Sequence, residues 1–123
     1  MSYFRVIIPN YNNKEWLDKC IGSVLEQSFT DWSLVFVDDM STDGSLDKAR
    51  ELMLDKGLAI PNYDKKWNGG SRNVGLRCYK DTEYTLFLDS DDWLANPEVM
   101  QKLHDFIEQN GKPDCVRLPY TMY

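Results

Sequence analysis

Three carboxylates follow directly on an apolar run in the last third of the chain. Residues 85–88 read Thr-Leu-Phe-Leu, and Asp89, Asp91 and Asp92 come next, with Ser90 between them and Trp93 after them. Short apolar runs that end in polar residues are typical of buried strands, and ligands of open α/β sheets bind at the carboxyl ends of strands. Crowded carboxylates repel one another unless a cation lies between them. The pattern therefore predicts a divalent metal site at a strand end.

Polar loops also follow two earlier apolar runs. Tyr11, in the loop 9–11, offers a flat ring and a hydroxyl that suit stacking on a nucleobase. A carboxylate of the pair Asp38-Asp39 could accept a hydrogen bond from a ring N–H or a ribose hydroxyl. An Asp-x-Asp motif suits a hard cation that also takes phosphate oxygens. Each feature alone also fits an ordinary turn, but together they predict a pocket for a nucleotide diphosphate.

Apolar periodicity predicts the elements that position these loops. Strands alternate with helices of crossover length, which predicts an α/β fold, a doubly wound and mostly parallel sheet with helices on both faces. Predicted strands cover 4–8, 32–37, 58–60, 84–88 and 114–118; predicted helices cover 14–27, 45–57, 71–79 and 96–111; a polar loop covers 61–70.

Turn and cap residues set the expected ends of the helices. Asn12 or Asn13 could cap the first helix, and Asp43 or Ser45 the second. Gly57 is a plausible stop for the second helix. The stretch 96–98, Asn-Pro-Glu, predicts the start of the last helix, which Gly111 would end.

Composition excludes several classes of protein. The chain has 123 residues, a formal net charge of −6 and no Lys/Arg block, which argues against nucleic-acid binding. No apolar run is long enough to cross a bilayer and no secretory signal opens the chain, so we expect no transmembrane segment and a cytoplasmic location. Cys20, Cys78 and Cys115 are odd in number and far apart, which favours buried free thiols in a reducing compartment.

Three other motifs point to weaker alternatives. Asp39-x-Ser41-x-Asp43 resembles the opening of a calcium loop, but the twelfth position is Arg50 instead of the required Glu. Gly69-Gly70-Ser71 precedes a predicted helix and could cradle a phosphate, although it lacks the lysine of a Walker loop. His104, the only histidine, has no partner motif that would suggest catalysis.

Five ordered blocks resemble the family-two inverting glycosyltransferases. They are Val6-Ile7-Ile8-Pro9-Asn10-Tyr11-Asn12, Ser23 to Phe29, Val37-Asp38-Asp39 to Ser45, Gly69-Gly70-Ser71-Arg72-Asn73-Val74-Gly75, and Phe87 to Asp92. The blocks keep the family's order and spacing from about Val6 to Asp92, which is more specific than an Asp-x-Asp motif alone.

The resemblance implies a GT-A fold, a nucleotide-sugar donor that is most often a UDP-sugar, and Mn2+ or Mg2+ on the diphosphate. It places Pro9 and Tyr11 against the nucleobase. One carboxylate of Asp38 and Asp39, with Asp39 favoured, would hydrogen-bond the base. The acceptor would be a saccharide or a lipid-linked molecule.

The same resemblance assigns the later blocks. Arg72 and Asn73 would border the nucleotide. Asp89 would face the ribose and the donor sugar, with Ser90 beside it in the donor-binding segment. Asp91 would hold the metal together with Asp89.

The sequence departs from the family in its length. Family members are considerably longer, and their general base lies downstream of the metal motif, beyond the strand at which this sequence ends. The later carboxylates belong to a predicted helix or precede a predicted strand, so none is a convincing substitute. We therefore expect residues 1–123 to form the donor part of a glycosyltransferase domain without its acceptor half.

Two alternatives remain open. The chain could be a non-catalytic nucleotide-binding module that works beside a partner chain. A phosphoacceptor receiver domain has a similar size, but its acidic pair should follow the first strand, where this chain has residues 9–11, and a lysine should stand at Pro119.

An unpaired sheet edge near Val116 and Leu118 would favour a homo-oligomer.

Overall fold

The computed structural model describes residues 2–62 and 67–119, without the side chains of residues 67–69. In chain order it contains β1 (Ser2–Asn10), a 3₁₀ turn (Lys14–Trp16), α1 (Leu17–Leu25), β2 (Trp32–Asp38), α2 (Ser45–Met53), β3 (Leu58–Pro61), α3 (Trp67–Leu76), β4 (Thr82–Phe87) and α4 (Val99–Gln109).

The described strands form one parallel sheet in the order β3-β2-β1-β4. Ile7 of β1 is paired with Val35 of β2 on one side and with Phe87 of β4 on the other. The chain therefore leaves β1 in one direction for β2 and β3, and returns to its other side for β4. This reversal creates a crevice beyond the carboxyl ends of the central strands, where α/β proteins bind ligands.

Alternation along β1 divides the core between the two faces of the sheet. Phe4, Val6 and Ile8 are buried in a cluster with apolar residues of α1, α2 and α4. Ile7 points to the opposite face, where α3 packs on β1 and β2. The predicted fold class, a parallel sheet with helices on both faces, is confirmed.

Gly75 allows α3 to approach the sheet closely. A Cβ atom at this position would lie 2.5 Å from Cγ2 of Ile7, well inside van der Waals contact. A glycine inside a helix pattern often marks such an approach. The absence of a side chain thus fixes the height of α3 above β1 and, with it, the position of the residues at the start of that helix.

The predicted last strand over 114–118 is wrong. The structure assigns no regular element there, although Val116 and Leu118 pack against the core. Gly111 and Lys112 turn the chain after α4 with positive φ angles of 73° and 54°. The returning segment is tied to β4 by the hydroxyl of Tyr84, which donates to the carbonyl of Pro113 over 2.7 Å. Residues of both segments line a groove of about 470 Å³, and no ladder joins the two segments.

Several predicted element ends also need correction. The helix predicted over 71–79 begins at Trp67, inside the expected loop 61–70, and ends at Leu76; positions 63–66 lie outside the described residues. The last helix begins at Val99 instead of 96, after a turn in which Asn96 accepts the N–H of Glu98 over 3.0 Å.

Gly57 does not end the second helix as predicted. That helix ends at Met53, and Leu54 leaves it with a φ angle of 52°. Gly57 instead lies against β2, where a Cβ atom would come within 2.6 Å of the carbonyl oxygen of Leu34. Close packing rather than helix termination therefore accounts for this glycine.

The three cysteines are free, as expected, but they are not all buried. Cys20 is buried, Cys78 is partly buried and Cys115 is exposed. The thiol of Cys20 lies beneath the acidic motif and donates to the carbonyl of Asp89 over 3.5 Å. Burial, and then the nearby carboxylates led by Asp92, raise the pKa of this thiol to about 12. Cys20 is therefore a protonated packing residue at neutral pH.

Candidate functional site

A polar pocket of about 250 Å³ lies at the switch point of the sheet. It is formed by the loops after β1, β2 and β4 together with the first half of α3. The described residues that line it are Pro9, Asn10, Tyr11, Asn13, Asp39, Ser71, Arg72, Asp89, Ser90 and Asp91. Seven of these were predicted as site residues, so the structure brings together side chains that are up to 82 positions apart in the sequence.

Asp38 lies behind the pocket wall and joins the first two loops. Only 3% of this residue is exposed. One carboxylate oxygen accepts from Nδ2 of Asn10 over 2.9 Å and from the hydroxyl of Ser41 over 2.6 Å, and the other accepts from the N–H of Ser41 over 2.9 Å. These bonds occupy the carboxylate with protein donors. Of the two acids after β2, Asp38 therefore builds the loops.

Asp39 is the acid of this pair that lines the pocket. Its backbone N–H donates to the carbonyl of Asn10 over 2.8 Å, which fixes the residue at the pocket edge. Its Oδ1 atom is buried and has no hydrogen-bond partner among the described residues. A buried acceptor without a donor is costly, so such an atom is a candidate for contact with a ligand.

Asp43 ties the loops to the starts of two helices. Its carboxylate accepts the N–H of Lys14 and the N–H of Ser45, each over 3.0 Å, and also the hydroxyl of Ser45. Asp43 thus caps both helices, whereas no side-chain cap from Asn13 is present. Burial would raise the pKa of Asp43, but the bonds from Ser45 and Lys14 outweigh it and hold the pKa below its ordinary value.

The acidic motif after β4 gathers three carboxylates. Oxygen atoms of Asp89, Asp91 and Asp92 lie within 4.8 Å of one another, and all three residues are exposed. Burial and then the charges of Asp91 and Asp89 raise the pKa of Asp92. Divalent cations bind carboxylate oxygens at about 2.0 to 2.6 Å, so one ion could reach all three after small rotations. The residues present fit a hard cation.

Arg72 supplies positive charge beside this motif. Its guanidinium donates to Asp89 over 3.0 Å and lies 6.0 Å from the ring centre of Phe87. The neighbouring Asn73, also predicted as a site residue, is exposed and is not among the described residues that line the pocket. Helix α3 therefore reaches the pocket through Ser71 and Arg72 and not through Asn73.

Ser90 connects the acidic motif with the first loop. It is buried, and its hydroxyl accepts from Nδ2 of Asn13 over 3.0 Å. Tyr11, in the same first loop, is 58% exposed and lines the pocket beside Pro9. An exposed ring at a pocket rim can provide a stacking surface for a base.

Sequence reasoning missed three of the lining residues, Asn10, Asn13 and Ser71. Asn10 belongs to the loop already singled out after the first strand but was not given a role there, and Asn13 was considered only as a helix cap. Ser71 is buried and accepts from Nδ2 of Asn62 over 3.2 Å. No spacing rule distinguishes these amides and hydroxyls from ordinary turn residues.

A transmembrane helix was not expected from the sequence. Across residues 2–62 and 67–119, the structure has no helix whose length and apolar character would allow it to cross a membrane.

The fold and the pocket agree with the comparison to protein families. The model of glycosyl transferase family 2 matches residues 5–121 of this chain. The chain belongs to that family.

Known relatives extend this assignment. The Escherichia coli protein named UDP-Glc:alpha-D-GlcNAc-diphosphoundecaprenol beta-1,3-glucosyltransferase WfgD is 36% identical over 97 residues, which cover 78% of this chain and 38% of that protein. The crystal structure of S. aureus TarS 1-349 in complex with UDP superposes with a TM-score of 0.79 at 31% identity, and the match covers 89% of this chain and 33% of that one.

A more distant structure shares the fold. The mannosyltransferase PcManGT from Pyrobaculum calidifontis, in complex with GDP-Man and Mn2+, has a TM-score of 0.76 at 21% identity; the match covers 86% of this chain and 32% of that one. The chain thus spans about a third of the length of these three proteins.

Proposed function

We propose that this chain forms the donor-binding part of an inverting glycosyltransferase, and that it binds a nucleotide-diphosphate sugar, a UDP-sugar, through Mn2+ or Mg2+. One observation carries the proposal. Asp39 has a buried carboxylate oxygen without a hydrogen-bond partner among the described residues. This oxygen lies in the same small region at the switch point of the sheet as the cluster of three carboxylates at 89, 91 and 92. The first suits a nucleoside N–H, and the second suits a cation on a diphosphate.

On the nucleoside side, Tyr11 and Pro9 would lie against the base and Asp39 would accept its N–H. Asp38 would act indirectly, because its carboxylate is occupied by Asn10 and Ser41. The UDP complex of the similar S. aureus TarS supports the choice of a uridine nucleotide.

On the diphosphate side, Asp91 and Asp89 would hold the cation, with Ser90 fixing the turn between them. A bound divalent cation supplies Lewis acidity that stabilises the leaving diphosphate. Arg72, which donates to Asp89, would donate to the phosphates instead when the donor is bound. A phosphate oxygen offers the guanidinium a charge-assisted hydrogen bond of the same kind as a carboxylate oxygen does. The Mn2+ complex of the more distant mannosyltransferase supports a metal of this kind.

The transfer would invert the anomeric centre and would use a saccharide or lipid-linked hydroxyl as acceptor. It requires a base within hydrogen-bond reach of that hydroxyl. The described carboxylates of the pocket have other roles in this proposal, at Asp39, Asp89 and Asp91. We therefore propose that residues 1–123 bind the donor, and that the base and most acceptor contacts lie outside these residues. Association through the edge near β4 is proposed as well.

Titration calorimetry with UDP, with and without Mn2+, tests the proposal. We expect binding that needs the metal and that weakens at least about 100-fold in Asp91→Asn, because even outer-shell partners of metal sites contribute about 10- to 100-fold. Asp55→Asn is the matched control, since Asp55 is exposed and lies on the turn after α2. Binding of equal strength without metal, or in Asp91→Asn, would refute the metal assignment.

A second measurement separates donor binding from turnover. Residues 1–123 should bind a UDP-sugar but transfer or hydrolyse it negligibly, because they contain no assigned base. Robust turnover by this polypeptide would show that one of its own carboxylates acts as the base.

A further inference from the structure

We propose that Asn10 is a specificity-determining residue whose side-chain oxygen accepts a hydrogen bond from the nucleoside of the donor. The inference rests on the proposed function and adds to it a second protein acceptor beside Asp39. Asp38 and Ser41 are then positioning residues, which act on the ligand only through Asn10.

The burial and the bonding of Asn10 carry the inference. The residue is only 3% exposed and lines the pocket. Its Nδ2 atom donates to Oδ1 of Asp38 over 2.9 Å and to the hydroxyl of Ser41 over 3.2 Å. Its Oδ1 atom is buried and accepts no hydrogen bond from any described residue.

The network determines which end of the amide remains available. Turning the amide by 180° would place its oxygen against the carboxylate of Asp38, where two acceptors would repel each other. The amide nitrogen must therefore face Asp38 and Ser41, and the oxygen is left over as an acceptor only. Buried acceptors are nearly always paired in folded proteins, so an unpaired one in a pocket wall suggests a missing donor.

The kind of ligand group follows from this chemistry. Asp39, in the same wall, also has a buried Oδ1 atom without a partner, so this part of the pocket presents acceptors. Phosphate oxygens are acceptors too and would be repelled. The matching donors are the base N–H and the ribose hydroxyls, which places the nucleoside and not the diphosphate against Asn10.

The oxygen of Asn10 is closed off from solvent in the ligand-free chain. Contact with the nucleoside therefore requires a small displacement of the loop after β1. Tyr11, the next residue in that loop, is 58% exposed. Ser41, whose hydroxyl also accepts the N–H of Asn12 over 2.9 Å, holds the loop on its other side.

A cycle of protein and ligand variants tests the inference. Calorimetry in the presence of Mn2+ would compare UDP with 2′-deoxy-UDP, 3′-deoxy-UDP and N3-methyl-UDP, each of which lacks one donor. We expect Asn10→Ala to bind UDP about tenfold more weakly, the loss of one hydrogen bond. With the one analogue that lacks the donor used by Asn10, the same substitution should cost nothing further.

Two further variants guard the result against trivial causes. Ser41→Ala disturbs the same network and keeps the oxygen of Asn10, so its effect on UDP binding should be smaller than that of Asn10→Ala and should vanish with the same analogue. If Asn10→Ala fails to fold, Asn10→Ser replaces it, since serine keeps a polar hydroxyl at this position while its shorter side chain withdraws the acceptor from the pocket.

The outcomes separate this inference from the proposed function. If Asn10→Ala or Asn10→Ser binds UDP normally, or loses affinity equally for UDP and all three analogues, Asn10 is purely structural and the inference is overturned. If the unchanged chain binds no UDP, the proposed function itself fails. Selective coupling to one analogue supports the inference and identifies the donor atom.

Discussion

The two sides of the pocket are built in opposite ways. On the nucleoside side, Asp38 is buried, and its carboxylate accepts three protein hydrogen bonds from Asn10 and Ser41. On the metal side, the carboxylates are exposed and crowded. Among the residues that the structure describes, Asp89 has one cationic partner, Arg72, and the side chain of Asp91 makes no hydrogen bond or ion pair.

Under the proposed function, this difference separates a carboxylate that folding satisfies, Asp38, from carboxylates that a bound cation would satisfy. The hydrogen bonds to the carboxylate of Asp38 hold together the loops that they join, and they need no ligand. Crowded carboxylates repel one another and are stabilised when a cation arrives. Substitution of Asp38 should therefore mainly change stability, and substitution of Asp91 should mainly change binding.

The largest effect is expected for Asp38→Ala. It leaves the Asn10 amide and both donors of Ser41 without their buried acceptor, which should lower the free energy of unfolding by roughly 2 to 4 kcal/mol. Asp91→Asn is the matched control from the metal side and should change that free energy by no more than about 0.5 kcal/mol. Urea denaturation of both variants without metal checks the contrast, and equal losses in the two would remove it.

Much of this arrangement was predictable from the sequence, because local patterns determine it. Apolar runs that stop at Asp38 and at Asp89 identified two strand ends, and a parallel sheet brings such ends to one edge. The preference of Asp39 over Asp38 came only from the family resemblance. The structure adds a physical reason, since the carboxylate of Asp38 is already occupied.

The misses arise where tertiary contacts override local pattern. Residues 114–118 have a strand-like composition, but after the turn at Gly111 and Lys112 they border a groove beside β4 and form no ladder with it. Likewise, Asp43 was predicted to cap the second helix, where it accepts the N–H of Ser45, but its contact with the N–H of Lys14, 29 residues earlier, was not predicted. No local cap rule could find a carboxylate supplied by another loop.

An intermediate effect is expected at Gly75, which links the two sides through α3. Gly75→Ala would push α3 away from Ile7 and should cost about 1 to 3 kcal/mol of stability, since extra atoms in a packed core force shifts. The displacement should also move Arg72 relative to Asp89 and weaken metal-dependent UDP binding.

Gly22→Ala in α1 is the control: its Cβ meets nothing within 4 Å, so it should stabilise the chain by up to about 1 kcal/mol. Denaturation and calorimetry on this pair measure both effects, and a neutral Gly75→Ala would contradict the close approach.

The smallest effect concerns Asp43, which ties the loop after β2 to the starts of two helices. Burial opposes ionisation, but the hydrogen bonds from Ser45 and Lys14 hold the pKa of Asp43 below its ordinary value of 3.8. The unfolded chain therefore binds this proton more readily, and the stabilisation that is present above pH 4 is lost as the pH falls through the lower, folded pKa.

Asp43→Asn should lower the free energy of unfolding by about 1 kcal/mol at pH 7, as the loss of a cap does. This deficit in stability should shrink below pH 4, because Asp43 in the unchanged chain is then protonated. Denaturation between pH 2 and 7 measures this difference, with the exposed Asp55→Asn as the reference. A deficit that stays constant down to pH 2 would show that Asp43 acts through its shape and not through its charge.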